Sequence, residues 1–268
     1  MIDSAEDIQI EYGVYVPSEA EAMTELLSEV FTRHDPLAVA AGVTAAEFEL
    51  FVRALAPKAA EEGLTVVARL ANNGEMAGVL LTEDAASAVA DGMKQLSEKF
   101  EPIADILGQL VTEYRAGQTP GHGEVLHLYL LGVSDRVARR GVGQQLVATC
   151  IENGARRGYR VAVAEATNKV SQHISTSWDL FLASNAPTRT ISSAGGRSFK
   201  RSPKPAGRFS WKSRLYPRRL RLQGFKKVPR PVANINATPL PRHGHEGRDY
   251  EIYTTALVVK LPGDGGMA

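Results

Sequence analysis

The sequence lacks the features that mark several protein classes. It contains a single cysteine in 268 residues, which excludes a disulfide framework. Its net charge is +1, so the chain as a whole has no charge that would draw it to nucleic acid or to an anionic membrane. No apolar run is long enough to span a membrane, and no secretory signal is visible at the start. These absences predict a cytoplasmic protein that does not interact with membranes.

What the sequence does contain is a pattern of strand, glycine turn, helix and strand in residues 124–168. The run 125–133 is apolar and too short for a helix, which indicates a buried strand. After a polar turn, a helix begins at Gly141-Val142-Gly143 and carries apolar residues at helical spacing. Residues 159–166 form a second apolar run, which ends near Asn168. The chemistry of this unit is expected at the glycine turn.

The glycine turn is suited to binding a phosphate. The first amides of a helix have no acceptor within the helix, and the helix dipole adds partial positive charge there. Gly141 and Gly143 have no side chains, so an anion can approach the backbone, and Arg136, Arg139 and Arg140 supply positive charge. The spacing matches neither a GxxxxGK[ST] loop nor GxGxxG. The alternative interpretation is an ordinary tight turn.

At these residues the chain resembles the GNAT superfamily of N-acetyltransferases, most closely its arylalkylamine and dopamine N-acetyltransferase branch. The resemblance lies in the strand end 131–133, in the loop 138–143, where Ala138 replaces the usual Arg or Gln, and in Asn168 after the next strand. It implies that the loop amides bind the pyrophosphate of acetyl-CoA, which would serve as co-substrate. The residues then expected to contact acetyl-CoA are Leu131, Gly132, Val133, Arg139, Arg140, Gly141, Val142, Gly143, Gln144 and Asn168.

The same resemblance implies an α/β (α+β) fold, with a mixed, mostly antiparallel central sheet and helices on both faces. The residues preceding the glycine turn are compatible with this fold. Ser18 and Thr44 are predicted to begin helices, and 64–70 and 76–82 are predicted to form a hairpin through Asn72-Asn73-Gly74. Residues 91–116 have a helical period that Pro102 is expected to split.

Three residues are candidates for catalysis. The resemblance places His127 where the animal enzymes have a catalytic histidine, and period-two alternation places His127, Tyr129 and Leu131 on one face of the strand. Asp35 is the rival base, because His34-Asp35-Pro36-Leu37 resembles the D-E-P-L motif of the dopamine enzymes. Ser171 matches a serine of that branch. The structural alternatives are a core histidine, an Asp-Pro turn and a serine in the first turn of a helix.

Residues 175–219 differ in composition from the rest of the chain. They contain ten Lys or Arg against one acidic residue and are rich in Ser, Pro and Gly. The resemblance expects Gly-Phe eleven and twelve residues after Asn168, but Gly224-Phe225 comes 45 residues later than that. We therefore predict a single domain made of 1–174 and 220–261, interrupted by a basic and disordered insertion at 175–219. Residues 262–268 are predicted to be a flexible tail.

The predicted function is transfer of an acetyl group from acetyl-CoA to the primary amine of a small molecule. Two alternatives stay open: a catalytically impaired protein that binds acyl-CoA, and a binder of nucleic acid or acidic partners through 175–219. Neither nucleic acid nor a membrane is an expected partner under the first hypothesis, and a homodimer stays open. His243 and His245 form an HxH pair without an evident third ligand, so no metal is expected.

Overall fold

The computed structural model describes residues 8–115, 119–176, 181–185, 189–192, 200–201, 249–252 and 255–261. Helices and strands alternate along much of this chain. In chain order they are β1 (Ile10–Val14), α1 (Ala20–His34), α2 (Pro36–Ala41), α3 (Ala45–Glu62), β2 (Val66–Leu70), β3 (Met76–Asp84), α4 (Glu101–Arg115), β4 (Val125–Val133), α5 (Val142–Arg156), β5 (Val161–Ala166), α6 (Lys169–Thr176), β6 (Phe181–Asn185), β7 (Arg189–Ser192), β8 (Lys200–Arg201), β9 (Asp249–Ile252) and β10 (Thr255–Lys260).

Seven of these strands form the main sheet, in the order β1-β2-β3-β4-β5-β10-β6. Only β4 and β5 run parallel, and every other neighbouring pair in this sheet is antiparallel. Strands β8, β7 and β9 form a second, antiparallel sheet. Helices α1 and α3 pack on one face of the main sheet and α5 packs on the other. The predicted mixed, mostly antiparallel sheet with helices on both faces is therefore confirmed.

Local sequence signals explain where the first helices begin and end. Thr44 caps α3 as predicted: its hydroxyl accepts the amide of Glu47, whose carboxylate accepts the amide of Thr44 at 2.8 Å. The helix ends at Gly63, which adopts a left-handed conformation with φ 61°. The cap predicted at Ser18 is wrong, because Glu19 instead accepts the amide of Val16 and α1 begins at Ala20.

Pro102 lies in the first turn of α4, where its missing N–H costs no intrahelical hydrogen bond. Two short 3-10 turns, at Met93–Gln95 and Glu98–Phe100, precede that helix. The predicted hairpin is confirmed, since β2 and β3 pair and the amide of Gly74 donates to Leu70.

A β-bulge in β4 changes which side chains share a face. Leu81 pairs with Leu130 and Thr82 pairs with Leu128, so Tyr129 has no partner on β3. Leu128 packs among the residues facing α5, whereas Tyr129 and Leu130 pack on the face of α1 and α3. Leu131 returns to the α5 side. The prediction that Leu131 shares a face with His127 and Tyr129 is therefore wrong, because the extra residue breaks the alternation.

The parallel pairing between β4 and β5 is short. It joins Val125–Leu128 to Val161–Ala164, whereas β4 continues to Val133 and β5 to Ala166. Beyond Leu128 and Ala164 the two strands are no longer paired with each other. Ser134, next after β4, donates its amide to the carbonyl of Ala77 in β3. Because successive amides of a strand point to opposite sides, the amides of Leu131 and Val133 are directed away from β3 and into this gap.

The strand after α6 lies elsewhere than predicted. The sequence spacing places it at Phe225, but the structure forms it at Phe181–Asn185, where it pairs with β10 at the edge of the main sheet. An apolar Phe181-Leu182 lies only a few residues beyond α6, so the chain can return to the sheet at once. The structure thus describes 181–185 as a strand, and the insertion at 175–219 stays a prediction. Residues 202–219, 220–225 and 262–268 lie outside the described residues, so the domain boundaries stay a prediction.

A pair of deletions tests whether residues 181–185 form the edge strand β6 of the main sheet. Deleting 175–219 removes β6 and exposes the edge of β10, so the melting temperature should fall clearly. Deleting only 202–219 keeps all the described residues and should change the melting temperature far less. Thermal unfolding followed by circular dichroism measures both. Equal melting temperatures for the larger deletion and the full chain would contradict the position of β6 in the sheet.

Two helical glycines give a matched test of packing between α5 and the sheet. A Cβ on Gly154 would lie 2.7 Å from Leu126 Cδ2, whereas a Cβ on Gly108 in α4 meets nothing within 4 Å. We expect Gly154→Ala to destabilise the protein by about 1–3 kcal/mol through overpacking. Gly108→Ala should stabilise it by up to about 1 kcal/mol through helix propensity. Urea unfolding would measure both, and stabilisation by Gly154→Ala would contradict the close approach of α5.

Candidate active site

A cavity of about 430 Å³ opens where β4 and β5 diverge, on the side of α1, α2 and α4. Most of its wall is aliphatic or aromatic. The aromatic lining residues are Phe31, Phe48, Phe51, Phe100 and Tyr129, and the polar ones are His34, Asp35, Ser97, Glu101, Glu165, Thr167, Asn168 and Ser171. An apolar cavity lined by a few polar groups is typical of a site for a small molecule.

A row of charged side chains crosses the sheet beneath this cavity. His127 lies between two carboxylates: its Nδ1 is 2.9 Å from Glu83 Oε1 and its Nε2 is 2.7 Å from Glu165 Oε2. The three residues stand on β3, β4 and β5, on one face of the sheet. Lys58 of α3 extends the row, with its Nζ 2.6 Å from Glu83 Oε2. The side chains of His127 and Glu165 are only 15% and 6% exposed, so water does little to screen their charges.

His127 carries a positive charge in this environment. Burial alone would lower the pKa of its imidazole, but the negative charges and hydrogen bonds of Glu165 and Glu83 outweigh burial and raise the pKa to about 10. At neutral pH both ring nitrogens then carry protons and donate to carboxylates. A histidine in that state has no free lone pair. The geometry therefore argues against His127 as the general base and favours a structural role as a buried cation.

Tyr129, the bulge residue of β4, lies beside His127. Their ring centroids are 5.0 Å apart, and Phe51 contacts Tyr129 edge-on at 6.1 Å. Burial raises the pKa of the phenol, and the charges of Glu83 and Glu165 raise it further. Tyr129 therefore stays neutral at physiological pH and contributes a hydroxyl and a ring to the cavity wall.

Asp35 lines the cavity and caps α2. Its Oδ1 accepts the amides of Leu37 and Ala38, both at 3.0 Å, and its Oδ2 accepts the hydroxyl of Thr167 at 2.6 Å. Burial raises the pKa of Asp35, although these three hydrogen bonds partly oppose that shift. Asp35 thus joins the start of α2 to the end of β5. Its role as a base stays a prediction. The alternative was an Asp-Pro turn, and the structure shows Asp35 as the N-cap of the helix that Pro36 begins.

Asn168 and Ser171 are engaged with each other at the start of α6. Asn168 Oδ1 accepts the amide of Ser171 at 2.9 Å, and Ser171 Oγ donates to the carbonyl of Asn168 at 2.9 Å. Both residues line the cavity. The serine hydroxyl is thus occupied in a helix-start motif, which corresponds to its structural alternative.

The turn before α5 presents free backbone amides. Gly141 has φ 76° and precedes Val142, and no side chain caps the helix. Arg139 has φ 63°, a conformation that non-glycine residues seldom adopt. Left-handed residues alternating with helical ones form a concave set of N–H groups that suits an anion. Arg139 and Arg140 are exposed and make no ion pair with any described residue, whereas Arg136 pairs with Glu75.

The predicted residues around this turn divide into exposed and buried ones. Arg139, Arg140 and Gly141 are exposed, whereas Val142 and Gly143 are buried and Gln144 is half-buried. A Cβ on Gly143 would lie 2.9 Å from Ile174 Cδ1 and 3.8 Å from both Leu131 Cδ2 and Val133 Cγ2. A Cβ on Gly132 would lie 2.9 Å from Leu27 Cδ2. Gly143 therefore permits close packing of α5 on β4 and α6, which is a different reason from the access for phosphate that we predicted.

Solved N-acetyltransferases are similar to this structure. A mosquito arylalkylamine N-acetyltransferase-like protein, 5b, matches with a TM-score of 0.60 and 13% identity over 94% of this chain and 100% of that one. The Drosophila melanogaster polyamine N-acetyltransferase that forms N-acetylagmatine matches with 0.56 and 16%, over 94% and 100%. The C-terminal condensation domain of Ebony, solved with β-alanyl-dopamine, matches with 0.62 and 13%, over 67% and 86%. No protein-family model and no curated protein sequence matches the chain.

The chain has the GNAT fold. The fold that the resemblance implied is therefore confirmed, although identities of 13–16% establish shared architecture and not shared chemistry.

Within the GNAT fold, sequence reasoning missed three residues of the charged row: Lys58, Glu83 and Glu165. The sequence did contain a signal for two of them, Glu83 and Glu165. Glu83 follows the apolar run of β3 and Glu165 interrupts VAVAEA, and a carboxylate inside a buried strand needs a partner. The partners come from other strands, so the sequence could not show which ones they were.

Neither a metal-binding cluster nor a membrane-spanning helix occurs among the described residues. No group of three or more His, Cys, Asp and Glu among them could hold a metal ion, and His243 and His245 lie outside them. No described helix is both long enough and apolar enough to cross a membrane.

The charge state of His127 can be measured by NMR and by stability. Its pKa is raised from 6.5 to about 10, so its stabilising effect is fully present below pH 6.5 and is lost as pH rises through 10. Between those values the free energy of unfolding of the wild type, relative to His127→Gln, should fall by up to about 1.4 kcal/mol per pH unit. An imidazole pKa near 6.5 by NMR, with a pH-independent difference between the two proteins, would contradict the buried ion pairs.

Proposed function

We propose that this protein transfers the acetyl group of acetyl-CoA to the primary amine of a small molecule. One observation carries the proposal: the cavity opens onto the gap between β4 and β5, so a molecule in the cavity can meet a second molecule lying along the free edge of β4. The GNAT fold of the chain and the names of the similar enzymes support the same reaction.

In this proposal acetyl-CoA lies between the turn before α5 and the free edge of β4. The amides of the first turn of α5 bind its pyrophosphate, with Arg139 and Arg140 as exposed positive charges. The amides of Leu131 and Val133 are directed into the gap, where one of them can donate to the thioester carbonyl. Asn168 lies at the cavity wall, on the side where the acetyl group would be.

The reaction then requires a neutral amine. An alkylamine with a pKa near 10 is mostly protonated at neutral pH, so it must lose one proton before its nitrogen attacks. A C–N bond forms, the C–S bond breaks, a second proton leaves the nitrogen, and CoA departs as a thiol. The carboxylates that line the cavity, Asp35, Glu101 and Glu165, are the groups placed to receive a proton directly or through water.

The cavity favours an acceptor with an apolar body. Four phenylalanine rings and several aliphatic side chains form most of its wall, and burial of an aromatic or alkyl group there would contribute most of the binding free energy. Among the similar proteins, arylalkylamine N-acetyltransferases carry such acceptors in their names. We infer a small amine with an aromatic or alkyl chain.

Substitutions at the turn before α5 test the cofactor site. Gly141→Glu should abolish acetyl-CoA binding, because it puts a negative charge at the phosphate position, and the double change of Arg139 and Arg140 to Ala should weaken binding about 3- to 10-fold. Gly158→Glu is the matched control, since Gly158 has a positive φ like Gly141 but follows the far end of α5, where nothing lies within 4 Å of an added Cβ. Calorimetry with acetyl-CoA measures all three.

Release of CoA in the presence of a panel of primary amines then separates an enzyme from a protein that only binds acyl-CoA. Unchanged acetyl-CoA affinity in Gly141→Glu, with loss of affinity in Gly158→Glu, would contradict the proposed cofactor site. Binding without CoA release for every amine would favour the binding-only alternative.

A further inference from the structure

Glu165 has a carboxylate oxygen that is buried without a partner. Its Oε2 accepts a hydrogen bond from His127, but its Oε1 is inaccessible to solvent and makes no hydrogen bond with any described residue. Glu165 forms part of the cavity wall. A buried oxygen of an ionised carboxylate that lacks a donor costs free energy, so a ligand able to donate there would relieve that cost.

The charges around Glu165 do not balance. Lys58 and protonated His127 supply two positive charges. Glu62, Glu83 and Glu165 supply three negative charges, and Lys58 lies 3.9 Å from Glu62 and 2.6 Å from Glu83. All five side chains are less than 20% exposed. The chain of ion pairs therefore leaves one negative charge in excess, and Glu165 is the member that forms part of the cavity wall.

Asp35, the other buried carboxylate in the cavity wall, is placed differently. Its two oxygens already accept three hydrogen bonds, from Leu37, Ala38 and Thr167. A carboxylate whose charge is already compensated by donors attracts a cation less than one with a free oxygen. Glu101 also lines the cavity but is exposed, so water screens its charge.

We propose that the Glu165 carboxylate turns toward the cavity when the acceptor binds, so that Oε1 accepts a hydrogen bond from the ammonium group and the site selects amines that are cationic in solution over neutral molecules of the same shape. This inference rests on the proposed function for what happens to the amine afterwards. The apolar cavity accommodates the body of the acceptor, and Glu165 fixes its charged end beside the point where β4 and β5 diverge.

His127, Glu83 and Lys58 act as positioning residues for Glu165. His127 donates to Oε2 from one side of the carboxylate, and Oε1 is the oxygen that has no hydrogen-bond donor. Glu83 accepts the second N–H of the ring, and Lys58 in turn compensates Glu83. Each positioning residue thereby keeps the next one in a single charge state and orientation.

The experiment compares two probes that differ in charge but hardly in shape, 2-phenylethylamine and 2-phenylethanol. Calorimetry in the presence of CoA measures the affinity of each, without any chemical step. The wild type should bind the amine more tightly than the alcohol. Glu165→Gln should weaken amine binding about 10- to 100-fold and leave alcohol binding within about threefold. Glu98→Gln is the matched control, because Glu98 is exposed and does not line the cavity, and it should change either affinity less than threefold.

The ratio of the affinity for 2-phenylethylamine to that for 2-phenylethanol also tests the positioning residues. His127→Gln and Glu83→Gln should each lower the preference for the amine while keeping alcohol affinity close to that of the wild type. A loss that affects amine and alcohol equally would show a merely structural role. Equal binding of both probes by the wild type, or an unchanged preference in Glu165→Gln, would overturn the proposal.

The two proposals can fail separately. If amines release CoA from acetyl-CoA but Glu165→Gln keeps the preference for the amine, the ammonium site is wrong and the acetyltransferase stands. If Glu165 governs amine binding but no amine releases CoA, the ammonium site stands and the proposed reaction is wrong.

Discussion

The short parallel pairing between β4 and β5 is the constraint on which the rest of the structure depends. Four residues on each strand join the two halves of the sheet, and beyond Leu128 and Ala164 the strands separate. The separation frees one edge of β4 and gives the cavity its opening. The bulge at Tyr129 begins at the same level, so the strand changes its side-chain alternation where it loses its neighbour.

The charged row lies across that point of divergence. Val163, opposite His127, belongs to the paired part of β5, and Glu165 is the first residue beyond it. A buried ion-pair network costs desolvation free energy that apolar residues would not, so its presence is weak evidence for stability. A network that ends in a cavity-wall carboxylate with one unpartnered oxygen has a more direct explanation in ligand binding. The apolar lining then supplies affinity and the carboxylate supplies specificity.

The fold and the site give different kinds of evidence about function. The GNAT fold is shared with enzymes at 13–16% identity, and a shared fold by itself does not transfer a substrate or a base. Two of the residues that the family resemblance suggested for catalysis are engaged in structure: Asp35 caps α2, and Ser171 bonds to Asn168. His127 is held as a cation between two glutamates. Under the proposed function, a proton acceptor is therefore expected among the other carboxylates of the cavity wall, Glu101 and Glu165.

The sequence by itself determined the local architecture around the glycine turn. Apolar runs, helical spacing and glycine positions depend on neighbours along the chain, which is why α5, its flanking strands and the hairpin of β2 and β3 could be predicted. The tertiary structure decided what depends on neighbours across the sheet. It set the partners of Glu83, His127 and Glu165, the packing need of Gly143, and the face of Leu131 after the bulge. It also placed the edge strand at Phe181, because pairing with β10 joins segments far apart in sequence and no local pattern encodes that choice.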